Sequence, residues 1–272
     1  MLKQRLMTAI LLIPLVVWAI LALPNQYFAM LFGLIAVVGV AEWCRLAGIP
    51  SGLVQGSYSA LFVLLLGVLW VVPLNGDDGV IILLASSLVW WVVILLMVLN
   101  YPRGSLLQNR SFKAIAGFWL LAPCWLALVT LHSRVEDGPV YVLFLLTLIW
   151  VADSAAYFSG RRWGNKKMAP NVSPGKTMAG LWGAVAGGVI WSAAGIYLLQ
   201  PSQGLGFIAL CMVTVLFSVL GDLAESMFKR NAGVKDSGNL LPGHGGVLDR
   251  IDSITAAAPV FVLGLLLLES GI

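Results

Sequence analysis

Five carboxylates stand where an apolar chain has least use for them. Asp153 lies near the end of one apolar run, Asp222 and Glu225 near the end of another, and Asp249 and Asp252 at the start of a third. On a helix Asp222, Glu225, Ser226 and Lys229 fall at i, i+3, i+4 and i+7, so they share a face. Asp249 and Asp252 share one in the same way. Between them run Lys229, Arg230, Lys235, Asp236, His244 and Arg250, with a Pro242-Gly243-His244-Gly245-Gly246 segment. Phosphoryl and nucleotidyl transfer need these residue types. Carboxylates hold Mg²⁺, which offsets charge developing on phosphate oxygens, and Lys and Arg clamp the oxygens that remain. Glycines let backbone N–H groups come close to an anion. His244 has two open roles, taking a proton or donating to a phosphate.

A second group lies upstream. Asp153, Tyr157, Gly160 and Gly164 form one helical stripe, the glycines suited either to close helix packing or to a ligand. Ser173-Pro174-Gly175-Lys176-Thr177 follows, directly before another apolar run. Its GKT resembles a P-loop, but that motif needs a glycine where Pro170 stands, and no strand is expected before it. What remains is a lysine, two hydroxyls and free N–H groups at a helix N-terminus, a favourable place for phosphate. The bland alternative for both groups is a juxtamembrane cluster that binds anionic headgroups. That alternative asks for Lys and Arg but not for interspersed acids.

The elements that position these residues are apolar. Hydrophobic residues make up 60% of the 272-residue chain and charged residues 10%, against about 25% charged in a soluble domain. Lipid as the outer solvent accounts for the shortfall. Nine spans of membrane-crossing length are expected, at 7–23, 27–43, 57–74, 80–99, 113–132, 140–160, 178–199, 206–226 and 252–270. The second is the least regular, because Glu42 and Arg45 lie near its end. The first lacks a small-residue cleavage site and reads as a retained anchor rather than a signal peptide. With the N-terminus in the cytoplasm, alternation places fifteen of the sixteen Lys and Arg residues on that side and leaves only Arg134 outside. This distribution explains the net charge of +4 without nucleic acid. The fold class expected is an all-α integral membrane protein, one polytopic domain over 1–272 in the cytoplasmic (inner) membrane, with its catalytic region in 150–255. Cys44, Cys124 and Cys211 lie in or beside apolar runs without metal-ligand spacing and read as small buried hydrophobes.

Ser226, Lys229-Arg230, Lys235-Asp236, Leu241-Pro242, His244-Gly245-Gly246, Asp249-Arg250 and Asp252 together closely resemble the signature of the phosphatidate cytidylyltransferase family, also called CDP-diacylglycerol synthases. No position from Ser226 to Asp252 departs from that pattern, and the upstream DxxAYxxGxxxG and SPxKT segments resemble the family as well. The resemblance implies a reaction in which CTP and phosphatidate give CDP-diacylglycerol and pyrophosphate, with Mg²⁺ and a second cation such as K⁺. It implies Asp222 and Asp249 as metal ligands, and Lys229, Arg230, Lys235 and Arg250 as phosphate ligands. Asp236, Asp252 and His244 complete the catalytic set. Asp153, Tyr157, Ser173, Lys176, Thr177, Ser226, Gly245 and Gly246 would touch substrate. It also implies a homodimer in membrane lipid. Two other classes compete. A transporter of an anionic phosphorylated solute would carry charges near the bilayer midplane, whereas these sit at span ends. A related CTP-dependent enzyme could act on another phospholipid.

Overall fold

The computed structural model describes residues 2–71, 77–134, 137–240 and 245–270, with side chains for all of these except 2–9, 11 and 77. Among the described residues the chain forms nine α-helices. These are α1 (Leu2–Ala22), α2 (Asn25–Ala47), α3 (Leu53–Val71), α4 (Asp77–Asn100), α5 (Arg110–His132), α6 (Gly138–Trp163), α7 (Met178–Leu199), α8 (Gly204–Asn231) and α9 (Leu248–Ser270). Eight are long and apolar enough to cross a membrane, and α1 contributes an apolar stretch over Leu12–Ala22. Lipid offers no partner for backbone N–H and C=O groups, so segments that cross it satisfy them within helices.

Two helices form the centre. α5 and α9 are the most enclosed, each with 72% of its apolar window buried, while α3 has 11% and faces outward. Residues far apart in sequence close this centre through side-chain bonds to backbone. Trp43 Nε1 donates to the Lys113 carbonyl at 2.8 Å, and Trp125 Nε1 to that of Ala29 at 2.9 Å. Such bonds remove polar atoms that hydrocarbon would leave unpaired.

The helices bearing the acids pair off, α6 along α7 and α8 along α9. Small residues permit this, as they do generally between membrane helices. A Cβ on Gly221 of α8 would sit 2.4 Å from the Asp252 carbonyl oxygen of α9. One on Gly183 of α7 would sit 2.7 Å from that of Ala155 of α6. Asp153, Asp222, Glu225, Asp249 and Asp252 are thus carried on helices that pack closely against a neighbour.

Three expectations change. The segment before α7 is not an open loop. β1 (Lys167–Ala169) and β2 (Ser173–Thr177) pair antiparallel, with Lys167 opposite Thr177 and Ala169 opposite Ser173. The P-loop remains excluded because Ser173–Thr177 is itself a strand. The N–H groups opening α7 are not all free either. Thr177 Oγ1 accepts from Gly180 N at 3.1 Å, and Met178 N donates to the Lys166 carbonyl at 2.9 Å. Finally, α2 continues without a break past Glu42 to Ala47, and Glu42 is buried.

Candidate active site

α8 ends with Lys229 and Arg230 in its last turn, while α9 starts at Leu248, so Asp249 and Asp252 occupy its first two turns. Lys229 Nζ lies 2.6 Å from Asp249 Oδ1 and 3.5 Å from Glu225 Oε1. Two turns earlier on α8, Asp222 Oδ2 lies 2.7 Å from Lys176 Nζ at the end of β2. Each of the two aspartates expected to hold a metal therefore carries a lysine ammonium on one oxygen. Asp153 of α6 and Asp252 of α9 both lie within coulombic reach of Asp222. The acids of three helices thus converge.

Asp249 is held from both sides. Its Oδ2 accepts from Ser237 N at 2.9 Å and Gly246 N at 2.8 Å, with Ser237 Oγ also at 2.9 Å. The glycines that sequence reading assigned to an anion do meet one, and it is the protein's own carboxylate. Gly245 has a φ of +82°, and a Cβ on Gly246 would come within 2.4 Å of Glu42 Oε2. A residue other than glycine would strain the first position and collide at the second.

Glu225 is 4% exposed, and both of its oxygens lack a hydrogen-bond partner. The Asp252 carboxylate lies within coulombic reach. Two carboxylates offer only acceptors to each other, and the Lys229 ammonium at 3.5 Å is the cation beside Glu225. Among the described residues no three metal-ligating side chains close on one point. Asp222 and Asp249 offer hard carboxylate oxygens, and Mg²⁺ takes one or two of these together with substrate phosphates. The donor set therefore suits a hard cation completed by a ligand.

Two cavities meet at Asp153. One, of about 610 Å³, is walled by apolar residues of α1, α2, α5 and α6, such as Val16, Phe32, Leu121 and Ile149. Its polar end carries Asp153, Ser154, Asp249, Arg250 and Asp252. The other, of about 420 Å³, is bordered by Asp153, Tyr157, Arg161, Lys176, Thr177 and Asp222. Asp153 is the one acid that lines both.

The remaining site candidates divide. Ser226 Oγ lies 3.4 Å from Asp222 Oδ1. Arg230 Nε donates to the Val172 carbonyl at 3.3 Å, tying the end of α8 to the hairpin. Gly160 and Gly164 pack against Thr177, which favours their packing role over a ligand role. Ser173 is partly buried in β2, and Lys235 and Asp236 are exposed between α8 and α9. His244, with Leu241, Pro242 and Gly243, lies outside the described residues. Sequence reading passed over Ser154, Ser237 and above all Glu42. The signal for Glu42 was present, because an acid inside an apolar span is costly and marks a function.

The Cytidylyltransferase family model matches residues 3–268 of the chain. Phosphatidate cytidylyltransferase of Pseudomonas aeruginosa is 41% identical over 265 residues, covering 96% of this chain and 96% of that protein. The Haemophilus influenzae protein of the same name is 39% identical over 281 residues, 96% of this chain and 97% of its own. That of Staphylococcus haemolyticus is 32% identical over 273 residues, covering 98% and 99%.

Proposed function

The chain belongs to the cytidylyltransferase family, and from that premise we propose that it transfers the cytidylyl group of CTP to phosphatidate, giving CDP-diacylglycerol and pyrophosphate. The observation that carries this reading is the pair of cavities sharing Asp153, one apolar and one polar. A lipid phosphate with its glycerol end in the first, and a nucleotide triphosphate in the second, would meet at the acids.

A phosphate monoester has its second pKa near ~6. Phosphatidate therefore attacks at neutral pH as a dianion and needs no strong base. One of its oxygens bonds to the α-phosphorus of CTP, the bond from that phosphorus to the β-phosphate bridge breaks, and pyrophosphate leaves with the electron pair. Arg250 lines the polar end of the apolar cavity, which supports it as the ligand for the lipid phosphate. Lys176 and Lys229, paired at rest with Asp222 and Asp249, would turn to triphosphate oxygens when the nucleotide binds. Asp222 and Asp249 are the proposed ligands for Mg²⁺, which when bound offsets charge on the α-phosphate and the leaving pyrophosphate.

The one-sided distribution of Lys and Arg supports placing this face in the cytoplasm of a cell whose inner membrane holds the chain. The charges sit at helix ends, which favours an enzyme over an alternating-access transporter. Purified chain in lipid nanodiscs should form CDP-diacylglycerol from CTP and phosphatidate with Mg²⁺ and none in excess EDTA. Robust turnover in EDTA would remove the metal from the mechanism, and uptake of unmodified CTP into proteoliposomes would favour the transporter.

A further inference from the structure

Glu42 sits on α2, 205 residues before the turn it touches. Its Oε1 accepts from Val247 N at 3.0 Å and its Oε2 from Leu248 N at 2.8 Å. Leu248 opens α9, so this carboxylate occupies the positive end of a 23-residue helix. Among the described residues no lysine or arginine pairs with it. Backbone N–H groups and the helix end are its counterweight.

The third partner is Ser237. Its hydroxyl lies 3.1 Å from Glu42 Oε2 and 2.9 Å from Asp249 Oδ2. A hydroxyl has one proton to give. Asp249 Oδ2 already receives two backbone N–H groups, from Ser237 and Gly246, whereas Glu42 Oε2 receives one. Ser237 links the two acids because its backbone N–H holds Asp249 Oδ2 while its hydroxyl proton is within reach of both Glu42 Oε2 and Asp249 Oδ2. Glu42 fixes both ends of the turn: Ser237 on one side, Val247 and Leu248 on the other. Asp249, Arg250 and Asp252 follow within the next four residues.

We propose that Glu42 is a positioning residue for the transfer reaction. It clamps the turn between α8 and α9 onto α2, so that the first two turns of α9 present Asp249 and Asp252 to the polar ends of the cavities. The inference rests on the proposed transferase reading, but its structural half can be tested apart from it.

The experiment uses the full chain in nanodiscs with Glu42→Gln, Ser237→Ala and the double variant. An amide in place of the carboxylate sets an NH₂ against at least one donor. Glu42→Gln should lower kcat by at least about tenfold per folded molecule, with KM for phosphatidate within about twofold, because oriented charge acts mainly on the transition state. Ser237→Ala should lower kcat in the same direction. The double variant should be little worse than the worse single, since the two act as one unit. Backbone hydrogen exchange over 245–252 should be at least about tenfold faster in Glu42→Gln than in the parent.

Normal kcat with folded Glu42→Gln, or a double variant showing the full product of the two losses, overturns the proposal. If Glu42→Gln does not accumulate, Ser237→Ala decides, and parental turnover there overturns it as well. Unchanged exchange also sinks the clamp. A parent that makes no CDP-diacylglycerol, with exchange still sensitive to Glu42, refutes the transferase reading and the positioning role while leaving the clamp in place.

Discussion

Replacing Asp249 with asparagine keeps the side chain's shape and removes its charge. In the parent, Oδ1 faces the Lys229 ammonium at 2.6 Å and Oδ2 faces Ser237 N, Ser237 Oγ and Gly246 N. Whichever way the amide turns, its NH₂ points at a donor, either the ammonium or the turn. The Asp249 side chain is 6% exposed and that of Lys229 13%, so water screens little of the loss. Removing one partner of a buried pair costs about 3–5 kcal/mol. Glu225 remains 3.5 Å from Lys229 and keeps part of its compensation, which places the cost at the low end. That is a cost to the fold; in turnover, loss of a proposed metal ligand that also anchors the turn should lower kcat/KM by roughly a hundredfold. The assay is initial-rate formation of labelled CDP-diacylglycerol, normalised to protein that stays monodisperse in size exclusion. A folded Asp249→Asn variant within about fivefold of the parent would refute the claim that this carboxylate organises the site.

Lys176→Ala should raise KM for CTP by about tenfold with KM for phosphatidate little changed, because Lys176 borders only the polar cavity. Initial rates with each substrate varied in turn check this, and equal shifts would contradict it. Ala36→Phe should do the reverse. Ala36 is 5% exposed and lines the apolar cavity, so added bulk there displaces lipid, and KM for phosphatidate should rise by roughly tenfold with KM for CTP little changed. Cysteines at Asn165 and Leu240, in a background without the native three, should be blocked by an impermeant thiol reagent from the cytoplasmic side alone. Labelling from the opposite side would invert the topology.

The acids were legible because burying a carboxylate near hydrocarbon is expensive, so Asp153, Asp222, Glu225, Asp249 and Asp252 stood out against their apolar neighbours. The helices were legible for a related reason: a spanning segment must be long and apolar, and eight of the nine expected spans show both properties among the described residues. Other features leave little trace along the chain. The hairpin at 167–177 rests on two strands of three and five residues, too short for an alternating pattern to show. The cavities are made by which face each apolar helix turns inward, and faces rich in leucine and valine look alike all round. Glu42 was visible as an anomaly, but its partners lie some 200 residues away, a pairing that only the fold creates. Asp249 was visible too. That its oxygens are held by Lys229 and the Ser237–Gly246 turn follows from how α8 and α9 pack, and single-sequence spacing carries no such information.

The most direct test of the central claim asks which phosphorus of CTP the lipid attacks. CTP labelled at either the α- or the γ-phosphate is given to the purified chain with phosphatidate and Mg²⁺. Cytidylyl transfer places the α-label in the lipid product and the γ-label in pyrophosphate, in equal amounts. Finding the γ-label in lipid, or neither label there while CTP crosses the membrane unchanged, would contradict the account.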